Sequence, residues 1–242
     1  LILKTMGNKE NNIKKPGVKT LSIHHGETFS EETGCVMPPI FSTSTFKYGN
    51  KQNFDYTRSG NPNFKILENI LKSIEDSKYC TVFGSGISAV TAITSTLKSG
   101  DKILCESNLY GCTVRMFDKI FKKFGIEVFY TDFTNKESIK RVKEFQPTLI
   151  WLESPTNPLL KILDIKSICD EANKHKIPVV LDNTFTTALI QKPLELGATL
   201  SLISTTKFIN GHSDALGGAV LTNDKEWNSK MLFSQKALGL QP

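Results

Sequence analysis

The stretch "SLISTTKFINGHSDALGGAV", residues 201–220, sets two apolar runs on either side of a lysine. Leu200, Leu202 and Ile203 lead into it as a buried strand, and "GGAVLT" (217–222) reads as a second one. Between them stand Ser204, Thr205, Thr206 and Lys207, followed by the glycine-flanked "GHSD". Lysine is among the residues least often buried. A lone lysine after a strand is ordinarily a solvated side chain, so its meaning depends on what the rest of the chain brings to the same place.

Upstream, helical and strand patterns alternate. Apolar residues at 64, 66, 67, 70, 71 and 74 give "NFKILENILKSIED" (63–76) a helical stripe. "SGISAVTAITSTLKSGD" (85–101) is a second helix, entered through glycine and left at Gly100. Then come a strand at 102–107, a helix at 112–125, a strand at 126–133, a helix at 135–146 and a strand at 147–154. A helix at 164–176, a strand at 177–185 and a short helical turn at "PLELG" (193–197) lead into the strand at 199–205. Such alternation predicts an α/β fold with a mostly parallel sheet covered by helices. Ligands of such sheets sit beyond the carboxyl ends of the strands. That rule singles out residues 107–110, 153–157, 182–184 and 204–207.

Residues 1–60 do not share this rhythm. The first 20 hold five lysines and one glutamate, a large part of the net charge of +6 in this 242-residue chain. "CVMPPIFSTSTFKYGN" (35–50) is extended, proline-bearing and apolar, an arm expected to pack on a second subunit. The expected division is a basic tail with an extended arm over 1–60 and an α/β domain over 61–242. No aromatic-interleaved basic stripe accompanies the tail, so no nucleic-acid partner is expected. No apolar run nears the roughly 18 residues of a membrane span, and no membrane association is expected. The cysteines at 35, 80, 105, 112 and 169 form no C-x-x-C pair, and the four histidines show no metal-ligand spacing. A reducing, cytoplasmic setting and no metal follow as expectations. The opening Leu1 and the ending "KALGLQP" are expected to be those of a fragment.

Chemistry gathers at the strand ends. Asp182 closes the run Ile177–Leu181, where a buried carboxylate is costly without a cationic partner. Asp182 by itself equally suits a helix cap. "FGSGIS" (83–88) precedes a helix whose first amides are suited to a phosphate. If the strand at 199–205 continues one residue further, Ser204 and Thr206 share one side next to Lys207. Arg58 adds positive charge, and Tyr110 is a candidate stacking platform. A lysine, a buried carboxylate, a helix-end phosphate cradle and an aromatic plate are the parts that hold pyridoxal phosphate. In that arrangement the lysine forms the Schiff base, and the carboxylate keeps the ring nitrogen protonated.

The chain resembles the Cys/Met-metabolism (transsulfuration) family of pyridoxal-phosphate enzymes. The resemblance runs from "HHGETF" (24–29) to the last residue through "PPIFSTSTF", "YTRSGNPN", "FGSGISAV", "LYGCT", "ESPTNPLLKILDI", "LDNTFTT" with "PLELGA", and "STTKFINGHSDALGG". It implies an aspartate-aminotransferase-like large domain, with the family's small C-terminal domain absent. It implies that Lys207 carries the cofactor, that Asp182 pairs with its ring nitrogen, and that Tyr110 stacks on the ring and aids proton transfer. Ser204, Thr206 and the amides of Gly86 and Ile87 would take the phosphate, Thr184 would join the cofactor contacts, and Asn157 would face the 3-hydroxyl. Tyr56 and Arg58 would reach the phosphate of a neighbouring subunit in a homodimer or homotetramer. Ile87 stands where the family usually has Met, which leaves an amide contact intact.

Family members act at the γ or β carbon of sulfur amino acids or homoserine esters. "DNTF" resembles the γ-acting branch. Arg115 resembles an arginine of cystathionine γ-synthase and γ-lyase that faces a substrate's distal acid group. Cys112 points instead to methionine γ-lyase. The expectation is cystathionine synthesis or cleavage at the γ carbon. Methionine γ-lyase or O-acylhomoserine sulfhydrylase activity stays open, as does a non-catalytic fragment that dimerises or holds cofactor only. His212 and Asp214 match the family without an assignable role.

Overall fold

A computed structural model describes residues 16–24, 34–35 and 37–242. Lys4, Lys9, Lys14 and Lys15 of the basic stretch and residues 25–29 of "HHGETF" lie outside the described residues. In chain order the regular elements are α1 (Val18–His24), α2 (Pro62–Glu75), β1 (Tyr79–Phe83), α3 (Gly86–Thr94), β2 (Lys102–Glu106), α4 (Gly111–Lys119), β3 (Glu127–Thr131) and α5 (Lys140–Phe145). They continue as β4 (Leu149–Glu153), α6 (Ile165–Lys174), β5 (Val179–Asp182), α7 (Thr187–Ile190), β6 (Leu200–Ile203), β7 (Gly218–Thr222) and α8 (Lys225–Leu238).

The seven strands form one sheet in the order β1-β7-β6-β5-β4-β2-β3. The β3–β2–β4–β5–β6 run is parallel, and β7 is antiparallel to both β6 and β1. This is the α/β architecture expected from the alternation. Every residue of β4, β5, β6 and β7 is buried, which is why these runs lack a polar face. One core layer gathers Phe83, Ile93, Phe117, Trp151, Leu200 and Leu202, with Phe117 edge-on to Trp151 at 5.2 Å. A second holds Ile150, Leu152, Leu181 and Ile168 from α6, and a third packs α2 through Leu71 on Cys80, Val82 and Ile203. Each such large apolar side chain contributes roughly 1.5–3 kcal/mol on burial.

Three details differ from the sequence expectation. "PLELG" is a hydrogen-bonded turn rather than a helix, confined between Pro193 and Gly197. β6 ends at Ile203 and the chain turns from Thr205, so strand alternation does not extend to Ser204 and Thr206. α1, β1, α7 and α8 are additional elements. Residues 37–56 are extended, tied by a bridge between Thr45 and Tyr56, and expose Met37, Ile40 and Tyr48.

Candidate active site

The carboxyl ends of β1, β2, β4, β5 and β6 lie along one edge of the sheet. β7 begins at that edge, since Phe83 pairs with Gly218. The glycines of "ALGG" permit this join: a Cβ on Gly218 would lie 2.3 Å from the Ser85 carbonyl oxygen. The edge therefore brings together residues 84–88, 107–110, 153–157, 182–184 and 204–207.

Asp182 at the end of β5 lies in register with Glu153 at the end of β4. Asp182 is 9% exposed, and its Oδ1 accepts the Thr184 N–H at 3.0 Å. No lysine, arginine or histidine forms an ion pair with it among the described residues. Burial pushes its pKa above the ordinary carboxylate range. Glu153 is also buried, and its carboxyl is pushed up by burial first and by the neighbouring Asp182 second. Its Oε2 accepts the Tyr110 N–H at 2.7 Å. Two carboxylates this placed favour one negative charge between them, not two.

Thr184 links this pair to the next strand end, because its Oγ1 accepts the Ser204 N–H at 2.8 Å. Ser204 packs against Gly86 so closely that a Cβ there would sit 2.8 Å from the serine Cβ. Ser85 caps α3, its Oγ accepting the Ser88 N–H at 3.0 Å. The Gly86 and Ile87 amides have no acceptor among the described residues, so two donors at the positive end of α3 are left facing the edge. Thr206 is engaged differently: its Oγ1 accepts the Gly217 N–H at 3.0 Å and lies 3.2 Å from the Gly217 carbonyl. Lys207 is exposed, and its side chain has no hydrogen bond or ion pair among the described residues. The Asn157 side chain is likewise without a partner among the described residues.

Tyr110 stands at the head of α4 with 40% of its surface exposed. The Cys112 thiol beside its hydroxyl, and partial burial, raise its pKa, so it stays a phenol and a hydrogen-bond donor. The Tyr110 hydroxyl and then Arg115 lower the pKa of Cys112. Arg115 Nη2 lies 2.7 Å from Cys112 Sγ, one helical turn away. Tyr56 and Arg58 form no hydrogen bond with these strand-end residues among the described residues. They line a cleft of about 730 Å³ with Phe41, Asn61 and Gln241, and Arg58 Nη1 donates to the Lys236 carbonyl at 3.1 Å. None of the strand-end residues lines that cleft. Glu153, singled out among the strand-end residues but given no role in the expected site, carries the same signal as Asp182: an acid closing an apolar strand.

The residues present fit pyridoxal phosphate. Asp182 is a buried carboxylate short of a cationic partner, which a protonated ring nitrogen supplies. Gly86 and Ile87 form an amide cradle that a side chain at position 86 would fill.

The model of the Cys/Met metabolism PLP-dependent enzyme family matches residues 19–242. A probable cystathionine gamma-synthase of Herpetosiphon aurantiacus is 38% identical over 229 residues, covering 93% of this chain and 72% of that protein. A cystathionine gamma-lyase of Dictyostelium discoideum is 37% identical over 229 residues, covering 93% of this chain and 59% of that protein. The solved cystathionine gamma synthase of Xanthomonas oryzae pv. oryzae, in complex with aminoacrylate and cysteine, superposes with a TM-score of 0.90 at 35% identity. That match covers 94% of this chain and 60% of the solved one, so the chain spans under two thirds of most relatives named here. With its match running from residue 19 to the end, the chain belongs to the Cys/Met metabolism PLP-dependent enzyme family.

Proposed function

We propose that the protein is a pyridoxal-phosphate-dependent transsulfuration enzyme acting at the γ carbon, of the cystathionine γ-synthase or γ-lyase kind. The observation that carries the reading is Asp182, a buried carboxylate without a cation, joined through Thr184 to Ser204 three residues before Lys207. Pyridoxal phosphate, when bound, supplies an electron-accepting ring that stabilises negative charge at the α carbon of an amino acid.

The chain's own residues supply the rest. Lys207 Nζ would hold the cofactor, and its amine is the group placed to move a proton at the α and β carbons. Asp182 keeps the ring nitrogen protonated. Ser204 and the Gly86 and Ile87 amides take the phosphate, with Thr206 joining them if its hydroxyl turns from Gly217. Thr184 holds Asp182 and Ser204 in register, Asn157 faces the 3-hydroxyl, and Tyr110 stacks and donates. Arg115, on the exposed side of α4, meets the distal acid group of the substrate. The division at residue 60 belongs to this reading, as do a cytoplasmic location and a homodimer or homotetramer in which Tyr56 and Arg58 serve a neighbour's phosphate. The exposed apolar residues of the arm, Met37, Ile40 and Tyr48, support such a partner.

A second reading, methionine γ-lyase, rests on Cys112 and on its contact with Arg115, which engages one guanidinium nitrogen. The purified chain loaded with pyridoxal phosphate is assayed with cystathionine, with an O-acylhomoserine plus cysteine, and with methionine. Turnover of a substrate bearing a distal acid, with Arg115→Ala raising its KM about tenfold, is the expected result. Methionine as the preferred substrate selects the second reading. Cofactor uptake without turnover of any of the three identifies a non-catalytic chain.

A further inference from the structure

The edge of the sheet holds a group for which the cofactor contacts leave no task. Glu153 is buried at the end of β4, yet its carboxyl turns along the edge to the main chain of α4 and not to solvent. The Tyr110 N–H that it accepts, at 2.7 Å, is one of the donors that a helix start leaves unpaired. Tyr110 has no side-chain cap of its own, so this carboxyl is the anchor of the α4 entrance. On its other side Glu153 faces Asp182 across the β4–β5 register. β2 presents a parallel case: Glu106 is fully buried but satisfied by Ser107, Asn108 and Phe133, all in neighbouring loops. Glu106 thus fixes the loops that follow β2 and β3, whereas Glu153 reaches the site itself.

We propose that Glu153 is a positioning residue: its carboxyl ties the start of the helix that bears Tyr110 to the strand end beside Asp182, so that one group sets both the stacking tyrosine and the ring-nitrogen carboxylate. The inference rests on the cofactor reading of Tyr110 and Asp182. Burial first and Asp182 second push the Glu153 pKa up to about 8, which disfavours a second charge beside Asp182. An amide does the same work, because the glutamine carbonyl accepts an N–H equally well.

The test uses the full chain and three proteins: wild type, Glu153→Gln and Glu153→Ala. Two readouts are taken on each, the pyridoxal-phosphate dissociation constant from titration of the apo-protein and the visible circular dichroism per bound cofactor at saturation. The dichroism reports the asymmetric contacts of the ring, and a residue that only supports folding leaves it unchanged once cofactor is bound. Glu153→Gln is expected to stay within about twofold of wild type on both readouts. Glu153→Ala is expected to weaken binding about tenfold and to lose at least half of the dichroism at saturation. Wild-type dichroism in saturated Glu153→Ala overturns the proposal, as does a Glu153→Gln protein as impaired as the alanine variant. If the wild type takes up no cofactor, the cofactor reading itself falls and this inference with it.

Discussion

At Gly86 the lack of a side chain is a packing requirement. A Cβ there would lie 2.8 Å from Ser204 Cβ and 2.9 Å from its Oγ, so Gly86→Ala forces apart the two segments that frame the phosphate cradle. Overpacking of this kind costs about 1–3 kcal/mol, and cofactor affinity is expected to fall roughly tenfold or more in an apo-protein titration. Gly111→Ala is the matched control, since nothing lies within 4 Å of its Cβ, and its affinity is expected to be unchanged. The strand-end positions of Asp182 and Ser204 were legible in the sequence because each puts a polar group where an apolar strand stops. The duty of Glu153 was not, because it depends on a main-chain N–H 43 residues away. The direction of Thr206 was not legible for a related reason: it follows from the turn and Gly217, which strand alternation does not describe.

Helix α2 brings an acid, Glu75, into the core beside Ser201 of β6. Both carboxyl oxygens of Glu75 and the Ser201 hydroxyl are buried with no well-formed hydrogen bond among the described residues, although Ser201 and the Leu194 main chain lie near enough to oppose part of the burial effect. Burial raises the Glu75 pKa from 4.5 to about 8. Below pH 4.5 the folded and unfolded chains both hold this proton. Between 4.5 and 8 the unfolded chain has released it and the folded chain keeps it, so stability falls as pH rises through that window and levels off above it. Glu75→Gln removes that slope. It is expected to raise stability at pH 8.5 relative to wild type by roughly 3 kcal/mol, or about 5–10 °C in Tm, with little effect at pH 5. Equal pH dependence of the two proteins in thermal melts would contradict this account. Among the elements, the alternating strands from β2 onward were legible as apolar runs between helical stripes. Helix α8 was not: only Met231, Ser234 and Gln235 are buried on it, while Phe233 and Leu238 are exposed, so it carries no continuous apolar stripe. β1 was hidden because its five residues stand directly between α2 and the glycine turn before α3.

Across the molecule, the parallel order of five strands turns widely separated segments into one row of functional groups, from the Gly86 cradle to Tyr110. The fold class follows from alternation alone. The order of strands does not, because β7 inserts between β6 and β1 through pairings that depend on the close approach of Gly218 to Ser85. Cofactor binding to the folded state alone stabilises it by about 2.7 kcal/mol at a hundredfold excess over Kd, and Tm should rise by roughly 5–10 °C. The central claim is that this row of groups holds pyridoxal phosphate through Lys207. Incubation with the cofactor, borohydride reduction, proteolysis and mass spectrometry test it most directly. One phosphopyridoxyl group per chain is expected on the peptide containing Lys207, and none in Lys207→Ala. Absence of the label, or its scatter over surface lysines at the same level in both proteins, would contradict it.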